Sequence, residues 1–166
     1  QFLKNAAHPN LARGAKVVLK YAPTKYAHED PQTLTDGAYG GWSFYANWLG
    51  FLKNLDAVVD LGSVKSFSHL SLSFLQVTNH VVFFPTQVDY EISEDGIHFQ
   101  PVEQIPNCCP LTPTSKVNDI QVFSVKPHAM KARYVHVIGH NMGTPPYWHH
   151  AAGTGAWIFA DELQVY

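Results

Sequence analysis

The sequence predicts an antiparallel β-sandwich of about eight strands, and three observations carry that prediction. Apolar and polar residues alternate over short stretches, the period of a strand with one buried face. Eleven prolines and eleven glycines fall mostly between those stretches, where the chain must turn. No stretch offers an amphipathic helix of three turns.

The elements follow in chain order. Strands are expected at 15–21 and 57–61. At 69–75 the residues Leu70, Leu72 and Phe74 share one face, with serines opposite. At 87–93, Val88, Tyr90 and Ile92 point inward, and Asp95-Gly96 supplies the positive φ of a turn before a return strand at 97–102. Further strands are expected at 120–125, at 133–138 with Val135 and Val137 in the core, and at 161–166. The connecting loops are 22–35, 36–48, 76–85, 104–118 and 141–156.

Composition narrows the function. With 46% hydrophobic and 14% charged residues the chain is neither disordered nor a coiled coil. Its 166 residues are one domain's worth, enough to bury roughly 70% of the unfolded surface without staples. One domain over 1–166 is expected, with 1–9 a leader or linker from a larger chain. A net charge of −2 and scattered basic residues argue against a nucleic-acid partner, which needs a basic stripe. Apolar runs fall short of the roughly 20 residues of a membrane helix, and the loops hold few lysines or arginines to support membrane-surface binding.

Catalysis finds little support. Ten histidines include the pair His149-His150 and the triplet His28-Glu29-Asp30, but neither has His-Glu-x-x-His zinc spacing. A nucleophile elbow, a phosphate loop and a Cys-His pair are missing. His69, His98 and His136 fall on expected strands, as structural residues. Cys108 and Cys109 are adjacent and can bridge only through a strained ring, so they read as two thiols in a loop. The loops themselves carry Trp42, Phe44, Tyr45, Trp48, Tyr147 and Trp148. Such aromatics either plug the ends of the sandwich or stack on the apolar faces of sugars or partner side chains.

Several short motifs occur in order: Asn10-Leu11-Ala12-Arg13-Gly14, Leu34-Thr35-Asp36-Gly37, Trp48-Leu49-Gly50-Phe51, Val58-Val59-Asp60-Leu61-Gly62, Ser93-Glu94-Asp95-Gly96-Ile97-His98-Phe99, Ala132-Arg133-Tyr134-Val135 and Asp161-Glu162-Leu163. Together they resemble the discoidin-like, or coagulation factor 5/8 type C, domain and family 32 of the carbohydrate-binding modules. The segment from Gly143 to His149 with Gly155-Ala156-Trp157 is similar to modules appended to secreted bacterial glycoside hydrolases of the β-hexosaminidase type.

The resemblance implies a galactose-binding-domain-like jelly roll with ligand loops at one end. It implies a non-catalytic module of a secreted, periplasmic or cell-surface hydrolase that binds hexosamine- or galactose-containing glycans. The alternative is a structural or protein-interaction domain packed on the catalytic domain. By the same resemblance Trp42, Tyr45, Gln76, Asn79, His80, Trp148 and His149 form the ligand site. A structural calcium is implied too, held by the carboxylates of Asp36 and Glu162 and the backbone oxygens of Thr33, Ala38, Gly41 and Asp161. Two carboxylates and several carbonyls make the all-oxygen shell that calcium prefers. The chain departs from the galactose pattern, with Leu49 and Gln76 where a His and an Arg are usual, and no Trp near Val81.

Overall fold

A computed structural model of the chain describes residues 8–24 and 28–166. Residues 1–7, most of the expected leader, and 25–27, within the expected 22–35 loop, lie outside the described residues. The strands are β1 (Lys16–Leu19), β2 (Leu49–Phe51), β3 (Leu55–Phe67), β4 (Leu70–Val77), β5 (Gln87–Ser93), β6 (Gln100–Pro106), β7 (Asn118–Ser124), β8 (Met130–Gly139) and β9 (Ile158–Val165). They form a five-stranded sheet, β1-β3-β8-β5-β6, packed on a four-stranded sheet, β2-β9-β4-β7. Every strand pair in both sheets is antiparallel. Only two short 3-10 turns, Pro31–Leu34 and Thr78–His80, interrupt the loops among the described residues.

The core is built as the alternation requires. Leu70, Leu72 and Phe74 of β4 meet Val88 and Tyr90 of β5 and Val135 and Val137 of β8, all buried, and Ile92 packs half-buried at the edge. Burying a large side chain of this kind contributes about 1.5–3 kcal/mol. The one polar atom Tyr90 brings inside finds a partner across the sandwich, its hydroxyl donating to the carbonyl of Phe123 at 2.7 Å. Burial pushes that phenol upward from its ordinary pKa, so it stays a donor.

The structure departs from the expected elements in three places. β2 is a short ninth strand between the expected 36–48 loop and the expected strand at 57–61; Gly50 permits it, because a Cβ there would strike the ring of Phe159. β3 runs on from Leu55 to Phe67, with Gly62 at φ 86° and a register shift between Asp60 and Lys65. The return strand starts at Gln100 rather than at residue 97, because Asp95 Oδ1 accepts from the backbone N–H groups of Ile97 and His98, both at 2.8 Å. His98 therefore lies in the turn, not on a strand. His69 likewise precedes β4, stacked on Tyr166 with ring centroids 4.2 Å apart. Tyr166 in turn stacks on His8 at 5.3 Å, which brings the two ends of the described chain together.

Candidate functional site

The outward side of the four-stranded sheet is itself apolar. Beyond Phe74 the inward pattern of β4 gives way to outward residues Leu75 and Val77, which cluster with Trp48, Val82 and Phe159, and with Phe44, Ile120 and Trp157 at the margin. The 36–48 loop supplies the cover. Trp48 is fully buried, and its indole N–H donates to the carbonyl of Gly41 at 2.8 Å. Gly40 lies so close beneath the ring that a Cβ there would strike it.

Phe44, Tyr45, His80, Val82, Trp157 and Phe159 line an open cleft of about 220 Å³ on this face. Phe44 holds it together, its ring centroid 4.2 Å from Tyr45, 5.1 Å from His80 and 6.2 Å from Phe159. The lining has aromatic faces, one imidazole and one phenol, and no side chain of Asp, Glu, Lys or Arg. Val81, at the rim, has φ 64°. A β-branched residue in the left-handed region is uncommon and strained. It is held by its N–H donating to Thr78 and its carbonyl accepting from Trp157.

Of the residues expected to bind ligand, Tyr45 and His80 meet in the cleft. Trp42 is 67% exposed on the same loop, and the exposed Asn79 holds Oδ1 3.1 Å from His80 Nδ1 without lining the cleft. Trp148 lies outside the lining, on a loop joined to the Thr78–His80 turn through His149. Gln76 and His149 are buried and occupied. Gln76 Nε2 donates to the carbonyl of Lys116 at 3.0 Å. His149 Nε2 donates to the carbonyl of Thr78 at 2.8 Å, while Nδ1 accepts from Ala151 N–H at 3.1 Å. Both ring nitrogens thus serve the loop. Trp157 and Phe159 escaped the sequence reading as site residues. The signal was there: they alternate with the inward Ile158 and Ala160, so two large aromatics point out of one strand.

A second feature sits next to the cleft. Between Leu72 and Phe74 the β4–β9 register shifts, so Asp161 and Glu162 together oppose Ser73. This β-bulge re-aims adjacent side chains that would otherwise point to opposite faces. Asp161 Oδ2 accepts from Gly40 N–H at 3.0 Å. Glu162 accepts from the Asn10 amide at 2.9 Å and from Gly37 N–H at 3.1 Å. Burial pushes both acids up to about 7, and for Glu162 the nearby charges of Asp36 and Asp161 add to it. Among the described residues no lysine or arginine pairs with either acid.

The other expected oxygen donors lie on the adjoining 36–48 loop and the Pro31–Leu34 turn. Asp36 accepts from Ala38 N–H at 2.8 Å, the carbonyl of Ala38 accepts from the Asn47 amide, and Thr33 is buried in the neighbouring turn. Among the described residues no group of three His, Cys, Asp or Glu side chains is placed to hold a metal on its own. The donor set is instead carboxylates with backbone carbonyls, and two buried acids without a countercharge fit a hard dication.

Solved structures share the sandwich fold. The chitosan-binding module 1 of a chitosanase/glucanase from Paenibacillus sp. IK-5 superposes with a TM-score of 0.60 at 18% identity, over 96% of this chain and 99% of that one. CpGH89CBM32-5 from Clostridium perfringens, in complex with GalNAc-β-1,3-galactose, does so with 0.59 at 15% identity, over 95% and 99%. The chain has the β-sandwich fold of these carbohydrate-binding modules. A GH29 fucosidase from Ruminococcus gnavus matches 95% of the chain with only 26% of its own length, at a TM-score of 0.58 and 14% identity. No protein-family model and no curated protein matches the sequence.

Proposed function

We propose that the protein is a non-catalytic carbohydrate-binding module whose cleft takes one sugar ring of an uncharged glycan. The observation that carries this is the lining: Phe44, Tyr45, Trp157 and Phe159 with His80, and no charged side chain. Aromatic rings offer surfaces to the C–H faces of a pyranose, and His80 and the Tyr45 hydroxyl hydrogen-bond its hydroxyls. The absence of charge from the lining disfavours an anionic or ammonium-bearing sugar, which would need a paired ion. A volume of about 220 Å³ lies below the drug-sized range of roughly 300–1,000 Å³ and suits a single ring. The Clostridium module's N-acetylgalactosamine-galactose complex supports a neutral hexosamine- or galactose-containing glycan. The fucosidase match supports a place beside a hydrolase domain in a larger protein, where the module raises local substrate concentration.

Calcium belongs to the same reading. The carboxylates of Asp36 and Glu162, with the backbone oxygens of Thr33, Ala38, Gly41 and Asp161, would hold it, and the ion would offset the buried acids beside the loop that lines the cleft.

A glycan array probed with the intact chain tests the proposal. Binding to neutral N-acetylhexosamine or galactose glycans is expected, and Tyr45→Ala should weaken it at least tenfold with an unchanged melting curve. If nothing binds at millimolar concentration, the structural or protein-interaction reading replaces this one.

A further inference from the structure

Cys108 and Cys109 open the 107–117 segment, which carries the chain from β6 in one sheet to β7 in the other. Both thiols are free and exposed, and their Sγ atoms lie 3.6 Å apart. Adjacent residues in an extended chain point to opposite sides, so this convergence is a property of the local bend. The bend is fixed at its start. Asn107 N–H donates to the carbonyl of Thr86 at 2.9 Å, and Asn107 Oδ1 accepts from Cys109 N–H at 2.9 Å.

We propose that Cys108 and Cys109 form a bidentate site for a soft, thiophilic metal or metalloid ion such as zinc or trivalent arsenic. Two thiolates on one tetrahedral zinc, each at roughly 2.3 Å, stand about 3.8 Å apart. A disulfide needs about 2.05 Å and a strained ring between neighbours. The observed 3.6 Å is close to the first distance and far from the second. Thiolates select soft ions over calcium or magnesium, so this site does not compete for the ion of the carboxylate cluster.

The chemistry balances without an oxidant. Zinc takes two thiolates and releases two protons, leaving its other positions to water. A phenylarsine oxide takes both sulfurs onto arsenic, and its oxygen leaves as water with the two thiol protons. Among the described residues no third His, Cys, Asp or Glu completes a metal-binding group, so the bite of the pair must supply the affinity.

The test uses the reduced full chain, with zinc and phenylarsine oxide as probes and free-thiol titration and intact mass as readouts. One equivalent of phenylarsine oxide should remove both thiols and add one phenylarsenic group. One equivalent of zinc should protect both thiols until a chelator is added. Cys108→Ser and Cys109→Ser, both in an exposed loop, should each weaken binding by roughly 100-fold through loss of the second tether. Single variants that bind as tightly as the natural chain would overturn the site. So would thiols that stay reactive, or a mass lower by two hydrogens from ring closure.

Discussion

The two outward faces of the sandwich are dressed in opposite ways. On the five-stranded sheet, His136 of β8 lies between Asp56 of β3 at 2.7 Å and Glu91 of β5 at 2.9 Å. His140 meets Asp89 at 2.7 Å, and Arg133 forks onto Asp60 at 2.8 and 2.9 Å. The four-stranded sheet carries Leu75, Val77, Phe159 and Trp157 outward instead, and roofs them with Trp48 and Phe44. Cross-strand polar and charged pairs suit a face left to water, where each contributes little. An apolar outer face must be covered, and the incomplete cover here leaves an aromatic cleft. The contrast separates a solvated charged face from a face whose covering loop leaves a cleft, the one proposed here to bind.

The sharpest way to break this contrast is to remove the roof. Trp48→Ala should cost about 3–5 kcal/mol, as for other buried large-to-small changes, and should strand the carbonyl of Gly41; denaturant titration measures it. Next in size, calcium at a hundredfold excess over its Kd should add about 2.7 kcal/mol. A chelator should remove that gain from the metal-loaded chain and leave Glu162→Gln unaffected, as read by calorimetry. Tyr45→Ala should then lose at least about 1.4 kcal/mol of glycan affinity, whereas His136→Ala on the opposite face should lose none; titration calorimetry with the array hit compares them.

The smallest effect belongs to the charged face. The Asp60 carboxyl is held below its ordinary 3.8, chiefly by the hydrogen bond from Arg133. A depressed carboxylate stabilises the fold above a pH of about 4, and that contribution disappears as pH falls through the lowered value. Asp60→Asn should therefore lower Tm by no more than a few degrees at neutral pH, and the gap should close under acid. A gap that widens in acid would reverse the assignment.

Much of the fold was legible because one face of most strands is buried. Leu70, Leu72, Phe74, Val88 and Tyr90 announce a core by period two alone. β2 was not legible: its three residues, Leu49, Gly50 and Phe51, are all buried, so nothing alternates. The site was half legible. Tyr45 and His80 stand in loops whose composition suggested binding, but Gln76 and His149 looked available only because a sequence does not show a carbonyl at hydrogen-bond distance. The outward run of Leu75 and Val77 after Phe74 marked a covered outer face, and Trp157 with Phe159 marked its floor. Neither signal has meaning until both strands are known to lie side by side.

β9 also sets a direction. Phe159, near its start, lies at the cleft, and its last residues lead into Tyr166, stacked between His8 and His69. Seven strand residues at roughly 3.3 Å each separate the two, a little over 20 Å. A dye, surface linker or fused reporter attached beside Tyr166 would therefore sit that far from the aromatic rings, clear of the residues that line the cleft.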